Sequence, residues 1–331
     1  MRKINILLLF FLTAVIAGGC APEISGSSEK KLQTSPVQSE ESNGYGAYFC
    51  RDVDCGEIMV KYVGLAEQSI DCAFYDLDLK NLIDILGAKS NSIPVRVVLE
   101  KDNYDGKIKG ENVRVFHGSG LMHNKFCIID SSLVITGSFN PVKSENDFND
   151  NNIVAVQSSI ISSNYMQEFE ELWNGTLGKG ERTKNTEIIL NGVRIENYFC
   201  PEDNCEDKVA EELLSAKKSI YFMTFSFTSE KIADAILSSN TTDSRGVFEK
   251  VGASTQYSEY NRLKDFGLNV RLDKNPRTMH HKVFIIDNST VITGSFNPTQ
   301  NANKRNDENI LIIHDSSIAA KYLKEFDRVF G

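Results

Sequence analysis

The stretch HNKFCIIDSSLVITGSFNP occupies residues 123–141, and it returns as HHKVFIIDNSTVITGSFNP at residues 280–298. An internal repeat of this kind decides the architecture before any local reading does, because each copy is one structural unit that needs its neighbour. Tyr48 matches Tyr198 at an offset of 150 and His123 matches His280 at 157, so the second copy carries about seven extra residues between those points. The expected organisation is a first domain over residues 45–178 and a second over 190–331.

Working outward from the repeat, each copy begins with a helical pattern (Gly56–Gln68 and Cys205–Lys217). A strand follows (Ser69–Phe74 and Ser219–Phe225), then a second helix (Leu79–Leu86 and Ser229–Ser238). Each copy closes with a strand and a helix, near Ile153–Leu172 and Ile310–Phe330. Strands alternating with helices predict α/β layers with helices packed on sheets. The runs FCIID and VFIID are apolar between polar flanks, as buried strands are. Because residues i and i+2 of a strand share a face, His123 projects with Lys125, and His280 with Lys282.

At 331 residues the chain can bury two ordinary cores, and its 41% hydrophobic content is that of a soluble globular protein. The N-terminus differs. Arg2 and Lys3 precede the apolar run INILLLFFLTAVIAG, which ends at Ala17-Gly18-Gly19-Cys20. A charged start, a short apolar run and small residues before a cut describe an export signal over residues 1–20. The alternative is a retained anchor, but a span needs roughly 20 apolar residues. The segment resembles a lipoprotein signal, which implies lipidation of Cys20 and a membrane-tethered, extracytoplasmic protein. Residues 21–44, rich in Ser, Glu, Gln and Gly, read as a flexible linker.

Cysteine usage agrees with export. YFCRDVDC (48–55) and YFCPEDNC (198–205) place four cysteines in matched settings, predicting local disulfides Cys50–Cys55 and Cys200–Cys205. A four-cysteine zinc site is the rival, poorly served by the spacing and the intervening acids. Cys72 and Cys127 lie in apolar runs and read as inert core residues. The formal charge is −9, or −11 once the two signal cations are removed, which excludes a protein that grips nucleic acid over its whole surface. From Lys250 to Lys282, however, seven Lys or Arg face three acids.

A His, a Lys, a Ser and an Asn from each copy, brought face to face, suit in-line displacement at phosphorus. One imidazole attacks while the other protonates the leaving oxygen and later activates water. Lys125, Lys282, Asn140 and Asn297 neutralise the non-bridging oxygens, and Ser138 and Ser295 add hydroxyl donors or hold the lysines. The scheme calls for no metal or other cofactor, and no cluster of metal-ligand type stands out. Trp173 and the phenylalanines Phe139 and Phe296 read as packing residues, although the latter two could also stack bases.

The pattern HxKxxxxDxxxxxxGSxN, present at His123–Asn140 and at His280–Asn297, resembles the phospholipase D superfamily. The resemblance implies two tandem α/β/α domains related by pseudo-twofold symmetry, an active site at their interface and a covalent phosphohistidine. It carries catalytic roles to His123, Lys125, Ser138, Asn140, His280, Lys282, Ser295 and Asn297, with Asp130 and Asp287 as structural anchors. It also implies a Glu after each GSxN that orients an imidazole. The second copy has Glu308, whereas the first has Asn151. In two-copy relatives the first histidine is usually the nucleophile, so His123 is expected to attack and His280 to act as the acid. Which imidazole Glu308 serves stays open. With both copies in one chain, no partner protein is needed to complete the site.

The GSFN form looks more like the small nucleases of the family, so hydrolysis of DNA or RNA is the first expectation. The tether to a membrane favours the alternative, a phospholipase D-type lipid phosphodiesterase. A third reading is a surface protein that binds phosphodiesters without turning them over.

Overall fold

The turn that ends each FCIID-type strand explains both the aspartate and the start of the fold. Asp130 and Ser131 have φ of 52° and 50°, and Asp287 and Asn288 have φ of 53° and 57°. Two successive left-handed residues make the hairpin turn whose twist matches paired strands, and Ser132 N–H and Ser289 N–H close it on Ile129 and Ile286. Asp tolerates this conformation because its short side chain finds local donors. Asp130 accepts the N–H groups of Glu67, Gln68 and Ser69, and Asp287 those of Lys217, Lys218 and Ser219. Each aspartate thus ties its hairpin to the entry of the neighbouring strand.

A computed structural model describes residues 37–331. The signal segment, Cys20 and the linker as far as residue 36 lie outside the described residues. The first repeat comprises β2 (Tyr45–Phe49), α1 (Cys55–Gly64), β3 (Ile70–Phe74), α2 (Lys80–Lys89), β4 (Val95–Glu100) and β5 (Val113–Phe116), after a short β1 (Gln38–Glu40). It continues through β6 (Lys125–Ile129), β7 (Leu133–Gly137), α3 (Lys143–Phe148), β8 (Asn152–Gln157) and α4 (Ser159–Trp173). Next come β9 (Glu187–Leu190), β10 (Val193–Cys200), α5 (Cys205–Ser215), β11 (Ser219–Thr224), α6 (Glu230–Ser238) and β12 (Asp243–Phe248). Two short helices, α7 (Lys250–Ala253) and α8 (Tyr260–Asp265), precede β13 (Asn269–Leu272). The chain closes with β14 (Lys282–Ile286), β15 (Thr290–Gly294), α9 (Gln300–Lys304), β16 (Glu308–Ile313) and α10 (Ser316–Phe330).

One sheet has the order β2-β8-β7-β6-β3-β4-β5, and the other repeats it as β10-β16-β15-β14-β11-β12-β13, extended at its edge by β9 and β1. The extra edge corrects the linker expectation for its last part: Gln38–Glu40 pairs in parallel with Ile188–Leu190. Glu40 also accepts the Ser159 N–H at 2.8 Å, satisfying one of the free donors that open α4.

Side-chain alternation divides each sheet between two cores. Phe126 and Ile128 of β6 join a core shared by both repeats, whereas Cys127 and Ile129 face the outer core beneath α1 and α2. The shared core is built on α4 (Ile161, Tyr165, Phe169) and α10 (Ile318, Tyr322, Phe326), lying between inward-facing strand residues of both sheets. A fully buried Phe such as Phe126 contributes about 2–3 kcal/mol. The second outer core packs α5 and α6 on the far sheet.

Cys72 and Cys127 are not free thiols, as the apolar runs led us to expect. They stand directly opposite on β3 and β6 with both side chains in the outer core, and form a disulfide with Cα atoms 4.1 Å apart. Both expected loop disulfides, Cys50–Cys55 and Cys200–Cys205, are present. Three disulfides are the mark of an exported protein. No helix among the described residues is long and apolar enough to cross a membrane.

Candidate active site

Each catalytic strand begins on the loop that carries its histidine. His123 N–H donates to Asp307 O at 3.0 Å and His280 N–H to Asp150 O at 2.9 Å, so each loop is pinned by the opposite repeat. Lys125 and Lys282 open β6 and β14 and are 2% exposed. Each folds back on its own motif, Lys125 Nζ to His123 O at 2.6 Å and Lys282 Nζ to His280 O at 2.7 Å. Tyr75 and Phe225 set their rings edge-on to His123 and His280, both with centroids 4.8 Å apart. The same two rings lie under the lysine ammonium groups.

The glycine of GSFN is needed for the close crossing of strands. Gly137 and Gly294 have φ of 148°, and a Cβ on either would come within 2.3 Å of Asn152 O or 2.2 Å of Asn309 O. This crossing delivers Ser138 and Ser295 to the orienting residues. Ser138 Oγ donates to Asn151 Oδ1 at 2.9 Å, and Ser295 Oγ donates to Glu308 Oε2 at 2.7 Å. The serines therefore hold the orienting side chains of the imidazoles, not the lysines.

Glu308 reaches across the pseudo-twofold axis: its Oε2 lies 2.7 Å from His123 Nδ1. In the mirror position, Asn151 Oδ1 lies 3.1 Å from His280 Nδ1. His280 Nδ1 also has Glu145 Oε2 at 3.3 Å, a residue that the motif does not mark. Glu145 accepts from Asn140 N–H at 2.8 Å and from Asn140 Nδ2 at 2.6 Å, which commits that amide to the carboxylate. The side-chain amide oxygens of Asn140 and Asn297 are buried without a partner. Phe139 and Phe296 are buried beneath the loops and present no face for stacking.

Both histidines are 7% exposed, with Nδ1 engaged and Nε2 left as the reactive nitrogen. Burial pushes both imidazoles down against the pull of Glu308 and Glu145, His280 to about 4, and Lys125 and Lys282 add to the depression. Burial likewise lowers Lys125 to about 8 and Lys282 well below the ordinary lysine range. Burial works to raise the carboxyls of Glu308 and Glu145, yet the facing histidines and the hydrogen bonds outweigh it, and both stay ionised. An anion in this centre would favour the charged forms of His280 and the two lysines.

A further polar layer crosses between repeats. Asn309 donates to Asn124 Oδ1 at 2.7 Å and accepts from Thr136 and Tyr165, while Asn152 donates to Thr293 and Tyr322. Sequence reading missed these residues, although Asn152 and Asn309 recur at one place in both copies. On the second-repeat side Arg328 bridges Asp150 and Glu325. The matched position in the first repeat is Glu171, and there Asp307 Oδ2 is buried without a partner. The cationic strip of residues 250–282 is dispersed: Arg262 pairs with Asp234 and Glu259, and Arg271 and Lys274 reach the carbonyl of Gly331. Among the described residues, the one three-membered group spaced for a metal ion is Glu196, Glu212 and His314, and Arg194 already contacts Glu196 and His314.

Two pseudo-symmetric halves, each giving a histidine and a lysine to the candidate site and an orienting side chain to the other's imidazole, form the arrangement that a two-motif phosphoryl-transfer reaction calls for. Comparison with known proteins agrees. Residues 59–173 and 209–330 both match the family model described as cardiolipin synthase, PLD-like domain. The chain belongs to the phospholipase D superfamily of phosphodiesterases. It is 32% identical over 142 residues to a phospholipase D of Rickettsia bellii, covering 41% of this chain and 69% of that protein. It is 34% identical over 159 residues to the human mitochondrial cardiolipin hydrolase, covering 44% of this chain and 62% of that one. The fold matches the crystal structure of phosphatidylserine synthase from Haemophilus influenzae with a TM-score of 0.67 at 12% identity, covering 88% of this chain and 86% of that chain.

Proposed function

We propose that the protein hydrolyses phosphodiesters through a phosphohistidine, with a phospholipid as substrate. The observation that carries the reaction is the crosswise pairing of His123 with Glu308 and His280 with Asn151 and Glu145. Glu308 holds a proton on His123 Nδ1, which leaves the Nε2 lone pair to attack phosphorus. As the P–N bond forms, the P–O bond to the leaving alcohol breaks and His280 Nε2–H protonates that oxygen. His280, now neutral, takes a proton from water. The hydroxyl adds to phosphorus, the P–N bond breaks and a phosphomonoester leaves. Lys125 and Lys282 offset the charge that grows on the non-bridging oxygens.

The lipid reading draws on the surroundings. Phe148, at the end of the helix that carries Glu145, is 45% exposed. Val251 and Tyr257 are 68% and 73% exposed on the segment whose Gly252 lies against the backbone carbonyl of Phe225. Exposed apolar side chains on elements that carry or adjoin site residues suit an acyl arm. The two relatives above are named phospholipase D and mitochondrial cardiolipin hydrolase, and a lipidated Cys20 would hold the enzyme at a membrane. Nucleic acid is the second reading, favoured by the GSFN form of both motifs.

The test incubates the purified protein, in excess chelator, with short-chain phosphatidylcholine or cardiolipin in one arm and plasmid DNA or RNA in the other. Lipid turnover that is lost in both His123→Ala and His280→Ala is the expected result. Nucleic acid cleavage without lipid turnover selects the second reading. Binding without product in either arm overturns both.

A further inference from the structure

Aligned copy on copy, GSFNPVKSENDFNDNN (137–152) and GSFNPTQNANKRNDEN (294–309) differ at seven positions, and two of these exchange a carboxylate in opposite senses: Asn151 stands against Glu308, and Glu145 against Ala302. The acid missing at one place of the first copy is present six residues earlier. The fold brings the two places together. Asn151 Oδ1 and Glu145 Oε2 converge on the same atom, His280 Nδ1, at 3.1 Å and 3.3 Å. Glu145 is 8% exposed, comparable with the 7% of the histidine it faces.

The division of labour is chemical. An amide oxygen accepts the Nδ1–H bond and sets the tautomer, but it carries no charge to stabilise an imidazolium. A buried carboxylate does, and Glu145 is held ionised by Asn140 N–H, Asn140 Nδ2 and His280 together. We infer that Glu145 is the positioning carboxylate of His280, supplying the charge that Asn151 lacks, so that the first repeat orients its partner histidine with two side chains where the second uses Glu308 alone. The inference rests on the two-histidine reading above.

Glu145 also braces the GSFN loop, so the test must separate charge from bracing. Glu145→Gln keeps an acceptor for Asn140 N–H and removes the charge. Two measurements apply: the pH dependence of bis(p-nitrophenyl) phosphate hydrolysis, which needs no knowledge of the natural substrate, and the NMR titration of the His280 imidazole, which needs no turnover. Glu145→Gln should move the His280 titration to lower pH, leave that of His123 in place, and cut turnover at pH 7 by about 10–100-fold. The double variant Glu145→Ala/Asn151→Glu rebuilds the second repeat's arrangement and should recover both signals relative to Glu145→Ala. An unmoved His280 titration in Glu145→Gln overturns the inference, as does a folded double variant no better than Glu145→Ala. Absence of wild-type hydrolysis strikes the catalytic reading instead, and the titration still decides Glu145.

Discussion

Glu308 Oε2 sits 2.7 Å from His123 Nδ1, and the two residues belong to different repeats, 185 positions apart. The same oxygen accepts the Ser295 hydroxyl at 2.7 Å, so the carboxylate is locked before substrate arrives. Glu308→Gln preserves the shape and removes the charge. The expected loss in kcat/KM is about 10²–10⁴-fold, the range typical when an acid–base partner is disabled. Steady-state kinetics on either substrate class measures it, and wild-type rates in this variant would show that orientation alone suffices.

The pH profile follows from burial. His123 must be neutral to attack, a condition met above its lowered pKa, while His280 must be protonated, which in the free enzyme holds only below about 4. The plot of kcat/KM against pH is therefore a bell whose maximum lies on the acid side of the ordinary imidazole value of about 6.5. In the substrate complex the phosphodiester anion favours the imidazolium, so the alkaline limb of kcat lies at higher pH than that of kcat/KM. A kcat/KM optimum above neutrality would contradict this account.

Asp130 and Asp287 should matter for folding and not for rate. Hydrogen bonds from three backbone N–H groups outweigh the opposing effect of burial and hold each carboxyl below the usual range. A depressed carboxylate stabilises the fold above its unfolded pKa, and that contribution is lost as pH falls through the folded value. Asp130→Ala is expected to cost about 1–2 kcal/mol, given the partial solvent access of the turn. Denaturant melts read the loss, and turnover per folded molecule should stay at the wild-type level.

The unbalanced acids around Asp307 predict the opposite pH sign. Burial pushes Asp307 up to about 8 and Glu202 to about 7, and raises Glu168, with repulsion from neighbouring carboxylates adding to each. Acids raised on folding stabilise below their unfolded values, and this is lost as pH rises through the folded ones. Thermal stability should thus decline from about pH 5 to pH 8, and Asp307→Asn, which can still accept the Gly178 N–H, should flatten the slope. An equally steep slope in that variant removes the cluster as its source.

Reduction of the disulfides should act unequally. Cys72–Cys127 spans 55 residues and Cys50–Cys55 only five. Loop-closure entropy then gives about 4 kcal/mol for the first and about 2 kcal/mol for the second. Melting Cys72→Ala/Cys127→Ala beside Cys50→Ala/Cys55→Ala compares them. A larger loss in the short-loop pair would contradict the entropic ranking.

The sheet, the helices around it and the pairing of the repeats were legible because the signals are local or duplicated: the apolar run FCIID between polar flanks, strand patterns alternating with helical ones, and two copies to compare. The observed β3 begins one residue later than read and α1 ends four residues earlier, the ordinary uncertainty of element ends. What escaped depends on which strand lies beside which. Cys72 and Cys127 look inert until β3 and β6 are known to be neighbours, and Glu145 looks like an ordinary surface helix acid until α3 is folded against the other repeat's histidine. Glu308 was marked by the family resemblance, but its partner was not, since crossing the axis is a property of the assembled halves.

The crossing of Glu308 and Glu145 means that neither half of this chain owns its own chemistry. A mutation in one repeat retunes the imidazole of the other, and a fragment ending after α4 would carry His123 stripped of its counter-charge.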